Sequence, residues 1–265
     1  VVAGAGDRRS RTALLGSVTG FAVRSAARPA LGWAAGIGAF YLLIGLISKS
    51  MTTFLAENPQ FAEMAAAAGF EIDAVQGYTA TLFTLLAVPL GGYTATRIAA
   101  VARAESARRL DLLLAAPVTR VRLAGAETVV AAAGALVLTA VAGLVTWAGT
   151  AAVGVPLGPA ALAGAANTLP VTALGLGAAV LALGWAPRLV VPIGMLPAAG
   201  GFLLTVLADS TGAPQWIAAL SPFAHLARVP ATAPDVPGAV ALTAIALVLA
   251  GAGLAGFRRR DIRTG

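Results

Sequence analysis

Six long apolar runs set the terms for this chain, because each is long enough to cross roughly 30 Å of hydrocarbon at about 1.5 Å of helix rise per residue. They lie near Ala30–Ser48, Tyr78–Thr96, Leu123–Val153, Ala161–Trp185, Leu189–Leu207 and Val236–Phe257. The third and fourth are separated only by the Pro/Gly turn Val155-Pro156-Leu157-Gly158-Pro159. Charged residues make up 11% of 265 positions, less than half the share usual in a water-soluble domain, and mean hydropathy is +0.87. Such a chain has too little polar surface to cover itself in water. Helices are the expected solution, since each satisfies its own backbone polar groups, and the alternating polarity of a transmembrane barrel is missing. The fold expected is an all-α membrane protein with about six transmembrane helices.

The arginines fix the expected topology. With six spans, sixteen of the eighteen basic residues fall on one side: the N-terminal segment, the loop 97–122, Arg188 and the tail 258–265. Lys49 and Arg228 alone face the other side, with Glu57, Glu63, Glu71, Asp73, Asp209 and Asp235. Five or seven spans would scatter the arginines. The positive-inside rule then puts both termini in the cytoplasm of a multi-pass protein of the cell membrane. Residues 1–29 form the expected N-terminal segment, 30–257 the six-span domain and 258–265 a basic tail, with external loops at 49–77 and 208–235.

Between the spans, Leu14, Val18, Phe21 and Ala22 share one helical face, which predicts a short interfacial helix ahead of the first span. Asn58-Pro59 predicts the start of a small external helix over Gln60–Ala68, with Gly69 as its stop. Trp216 and Ile217 predict a segment dipping into the outer interface near Pro214–Leu220. The chain begins at Val1, which suggests a processed protein or the later part of a longer one.

Missing chemistry excludes several functions. Without cysteine there are no disulfides or thiolate metal sites, and the single histidine, His225, leaves little for a metal centre. The only lysine, Lys49, lacks the spacing of a phosphate-cradling loop, so no nucleotide is hydrolysed by that route. No reactive constellation for intramembrane catalysis is present, and the +7 net charge reflects topology rather than nucleic-acid binding. The spans hold almost no ionisable groups; Glu127 is the exception, about one turn inside the third span and expected to pair with Arg122 or a neighbour. If this chain transports, its energy comes from a partner.

The largest loop on the arginine side offers that partner a handle. Leu110, Leu113 and Leu114 make an apolar ridge at helical spacing, flanked by Arg103, Glu105, Arg108, Arg109 and Asp111 and ended by Pro117. Periodicity leaves two readings open: a helix that docks into another protein, or a solvated connector. The run Glu105, Asp111, Leu113-Leu114-Ala115, Pro117-Val118-Thr119-Arg120 resembles the coupling-helix region of type-2 ABC exporter permeases. It is closest to the actinobacterial polyketide-antibiotic and multidrug exporter subgroup. Leu31-Gly32-Trp33, Asn58-Pro59-Gln60, Pro214-Gln215-Trp216, Ser221-Pro222-Phe223-Ala224-His225 and Gly256-Phe257-Arg258-Arg259-Arg260-Asp261-Ile262 extend the likeness over most of the chain.

The resemblance implies a permease with no catalytic site of its own, moving hydrophobic or amphiphilic compounds out of the cell. A separate ATP-binding cassette subunit, in two copies, would bind ATP and magnesium. Glu105, Arg108, Arg109, Asp111, Leu113, Leu114, Pro117 and Arg120 would bear the contact with it. A second six-span half, in the same polypeptide or another, would complete the path, which the first, second and fifth spans would line. Gly32 and Gly36 form a small-xxx-small pair, and Pro89, Pro192 and Pro197 are expected to kink the second and fifth spans. The alternative from another class is a membrane anchor that recruits a cytoplasmic partner and transports nothing.

Overall fold

The computed structural model describes residues 17–67, 75–106, 119–155 and 157–259. Within them, six helical stretches are long and apolar enough to span a membrane. In chain order the helices are α1 (Val18–Glu57), α2 (Pro59–Ala67), α3 (Val75–Ser106), α4 (Arg120–Ala152), α5 (Ala160–Ala166), α6 (Leu169–Trp185), α7 (Val190–Met195), α8 (Gly201–Thr211), α9 (Gln215–Ala218) and α10 (Val236–Arg259). The chain is an all-α membrane protein, and each apolar run of the sequence matches one of these stretches, the third overrunning its helix by the single residue Val153.

Three of the spans depart from a plain helix. The first is 40 residues long, about 60 Å and twice the hydrocarbon thickness. The stretch with Val18, Phe21 and Ala22, expected as a short interfacial helix ahead of the first span, is continuous with that span. Ser17 caps this helix, its hydroxyl accepting from the Gly20 amide at 3.0 Å; Leu14 lies outside the described residues. The fourth span is α5 joined to α6 through Asn167 and Thr168. The fifth runs as a 3₁₀ turn at Pro187–Leu189, then α7, a π-helical turn at Leu196–Gly200, and α8. Pro197 sits in that π turn, where its missing N–H and bulky ring break the regular ladder. By contrast α3 runs through Pro89 without interruption.

The loops are shorter than the apolar runs suggested. α1 continues to Glu57 and α3 to Ser106, so the expected loops 49–77 and 97–122 are partly helix. The small helix after Asn58 begins at Pro59, as that residue pair predicts. Gly69 falls outside the described residues. In the turn joining the third and fourth spans, Gly158 takes φ of +58°, a conformation glycine adopts freely.

Small residues let the spans approach closely. Against α4, a side chain at Gly45 would come within 2.7 Å of the Thr146 carbonyl, and one at Gly149 within 2.8 Å of the Leu42 carbonyl. Between α6 and α10 the fit is tighter still. Gly177 meets the Ala246 carbonyl, Gly184 the Gly253 carbonyl, and Gly253 the Val180 carbonyl, with no room for a methyl group. In lipid, where burying an apolar side chain against another apolar surface gains little, such backbone-to-backbone contact is what holds helices together. A core of Tyr41, Phe83, Leu86, Leu90, Tyr93 and Leu138 ties α1, α3 and α4. A second core, with Ile98, Ala131, Val180, Leu183 and Phe257, ties α3, α4, α6 and α10.

Candidate functional site: a lateral groove and a buried ion pair

Three features concern function: the flanks of the Leu110–Pro117 ridge, a buried ion pair just inside them, and a groove above. Of the residues that the resemblance assigns to coupling, Glu105 is half-buried in the last turn of α3, and Arg120 is the first residue of α4. Thr119 caps α4, its hydroxyl accepting from the Arg122 amide at 3.3 Å. Arg108, Arg109, Asp111, Leu113, Leu114 and Pro117 lie outside the described residues. The two ends of the motif thus sit at the ends of neighbouring helices.

About two turns inside those ends, Arg97 of α3 pairs with Glu127 of α4. Both side chains are under 10% exposed. Arg97 also donates to the Ser25 hydroxyl of α1 at 3.1 Å, and Ser25 in turn donates to the Ala22 carbonyl at 2.8 Å. One guanidinium therefore fastens three helices. The sequence places Arg97 in a loop and offers Arg122 or a neighbour to Glu127. Arg122 is exposed, and Arg97 belongs to the helix. The signal was a lone carboxylate inside a span, which demands a partner at the same depth on an adjacent helix. Antiparallel α3 supplies one where its apolar run ends.

The groove opens on the side of the bundle. It encloses about 720 Å³, within the range usual for small-molecule sites. Its α1 wall is Pro29, Gly32, Trp33, Gly36, Ile37, Phe40 and Tyr41; its α3 wall is Leu85, Val88 and Pro89; Phe202 of α8 closes it. These are the first, second and fifth spans, the set that the resemblance named for a transport path. The lining carries no formal charge, and its one hydroxyl, Tyr41 Oη, donates to the Leu82 carbonyl at 2.9 Å.

Local packing explains why these side chains hold their places. Tyr41 stacks on Phe83 with ring centroids 5.6 Å apart and planes within 4°. Trp33 meets Tyr93 edge-on at 6.5 Å. Phe202 rests against Phe223, centroids 6.4 Å apart. The Ser221-Pro222-Phe223 turn that carries Phe223 is pinned to α8: the Ser221 hydroxyl donates to the Gly201 carbonyl at 2.9 Å and accepts from Thr205 at 2.8 Å. Gly32 and Gly36 differ from the glycines of the core. A side chain added at either meets nothing within 4 Å. The expected small-xxx-small pair therefore shapes the groove and makes no close contact within the described residues. Beyond Phe202, α9 presents Trp216 in an exposed position, and Leu220 follows it, both two-thirds exposed.

A bundle of six helices able to span a membrane, with an apolar groove on its side, has the build of a permease. The chain belongs to the family described as multidrug efflux system permease Rv1217c, C-terminal domain, which it matches over residues 15–258. It is therefore a membrane permease of a multidrug efflux family. No curated protein matches the chain.

Proposed function

We propose that this permease is one six-span half of an ATP-driven exporter, and that the groove between α1, α3 and α8 carries apolar or amphiphilic compounds out of the cell. The observation that carries the reading is the groove itself: an uncharged, aromatic-walled cleft of drug-molecule size on the first, second and fifth spans of a multidrug efflux permease. A separate ATP-binding subunit, in two copies, supplies the energy, with ATP and magnesium bound there. It grips the permease at the loop between α3 and α4, through Glu105, Arg108, Arg109, Asp111, Leu113, Leu114, Pro117 and Arg120. Both termini lie in the cytoplasm, where the positive-inside rule puts the arginine-rich end. A second six-span half faces the groove and completes the path. The Arg97–Glu127–Ser25 knot stands between grip and groove. Tilting α3 or α4 at the loop therefore pulls on the α1 wall.

The test is drug efflux into inverted vesicles holding the permease and its ATPase. Glu105→Ala and Arg120→Ala should each lower efflux about tenfold, the effect of losing one central interface contact of roughly 1.4 kcal/mol. Membrane insertion should be unchanged. Full efflux in both variants would refute the proposed grip.

A further inference from the structure

Both walls of the groove run down to an exposed arginine. On α1, Arg28 directly precedes Pro29, the first lining residue of that wall, and stands one turn before Gly32. It forms no hydrogen bond or ion pair with any described residue. On α3, Leu85, Val88 and Pro89 continue along one stripe through Gly92 and Thr96 to Arg103, which lies five turns from Leu85 and on the same face. The Arg103 side chain points back along its helix and brings Nη2 to 3.5 Å from the Thr96 carbonyl oxygen.

The pairing of the two helices then brings these two arginines to the same end of the groove. Three contacts fix the antiparallel register: Ser25 with Arg97, Trp33 with Tyr93, and Tyr41 with Leu82. That register sets the Arg28 backbone level with Thr96, whose carbonyl the Arg103 head approaches. Two positive groups thus flank the lower end of an apolar cleft whose α1 wall is open at Gly32, Gly36 and Phe40.

We propose that this arginine-ended groove binds an anionic phospholipid of the surrounding bilayer. Its phosphate sits between Arg28 and Arg103, and one acyl chain lies along Gly32 and Gly36 toward Phe40 and Phe202. The chemistry selects such a ligand from both ends. Basic pockets between spans, at the arginine-rich end, attract acidic lipid headgroups, while a small soluble anion would gain nothing from the apolar bed. The missing side chains at Gly32 and Gly36 leave the width that a chain needs, and the cleft opens sideways to hydrocarbon. The site does not depend on the export reading, since it forms within the permease alone.

Trp33 lines the cleft and reports on it. The full chain is placed in nanodiscs, and its tryptophan fluorescence is quenched with brominated phosphatidylglycerol or brominated phosphatidylcholine; a Trp33→Phe variant isolates the Trp33 signal. Phosphatidylglycerol should be preferred at Trp33 about fivefold or more, the gain from one or more arginines near an acidic headgroup. Arg28→Gln with Arg103→Gln should abolish the preference, and Arg28→Lys with Arg103→Lys should keep it. Gly36→Leu should weaken quenching by both lipids. Equal quenching by the two lipids in the parent protein would overturn the proposal, as would a preference that survives the double glutamine variant. Quenching by a brominated free fatty acid that phosphatidylglycerol fails to displace would also overturn it, in favour of a solute site. Because no ATPase is present, a negative result here leaves the export reading untouched.

Discussion

The α6–α10 contact and the α1–α3 groove are built from the same residue, with opposite results. At Gly177, Gly184 and Gly253 the missing side chain lets two backbones touch, and any added carbon would collide with a carbonyl. At Gly32 and Gly36 the added carbon meets nothing. In the first region glycine removes space between helices; in the second it leaves space beside one. A lipid-embedded bundle gains little from burying apolar surface, so the closed contact supplies cohesion and the open face is free for ligands. α6 and α10 thus form a closely packed pair, while the α1 wall of the groove stays open.

The largest effect expected is at the ion pair that ties the groove wall to the rest. Arg97→Ala strands the Glu127 carboxylate among α1, α3 and α4 and should destabilise the fold by about 3–5 kcal/mol. Thermal unfolding in detergent measures it. Glu127→Gln added to Arg97→Met should recover most of the loss, because the cost lies in the unpaired charge and not in the absent attraction. If Arg97→Ala unfolds at the parent temperature, the knot contributes nothing and the groove wall is held by packing alone.

Next in size is the closed contact. Gly184→Ala pushes a methyl group against the Gly253 carbonyl and should cost about 1–3 kcal/mol, the usual penalty for overfilling a packed contact. A loss under about 0.5 kcal/mol would mean that α6 and α10 separate easily, and the distinction between closely packed pair and open wall would fail.

Much of this division was invisible in the sequence, for physical reasons. The six spans were legible because uncharged runs of that length have few other uses, and the sorted arginines fixed their number. The glycines were not. Small residues recur at four-residue spacing throughout so Ala- and Gly-rich a chain, and a repeat on one helix cannot name the backbone opposite. Gly32 and Gly36 could equally be a helix contact or background in so small-residue-rich a chain, whereas nothing local marks Gly177 and Gly184, which do make a contact. Arg97 was hidden by its position at the end of an apolar run, where an arginine ordinarily reaches for water. Its burial follows from Glu127 on the next helix, a fact of pairing and not of local pattern. The groove was the least readable feature, since its walls come from three spans far apart in sequence.

The smallest effect separates the two kinds of glycine most cleanly, because it changes sign. Gly32→Ala adds a methyl group in open space at a helical position with ordinary backbone angles. Alanine there removes conformational freedom from the unfolded chain without any clash, so the variant should be more stable than the parent by about 0.5 kcal/mol. The same substitution at Gly184 has the same effect on the unfolded chain, yet should destabilise. Measured side by side, the two variants cancel the intrinsic helix preference and leave the contact term alone. A gain at Gly32 beside a loss at Gly184 locates the room in the groove. Losses of equal size at both would mean that Gly32 is covered in the assembled protein, and that what covers it comes from outside the residues described.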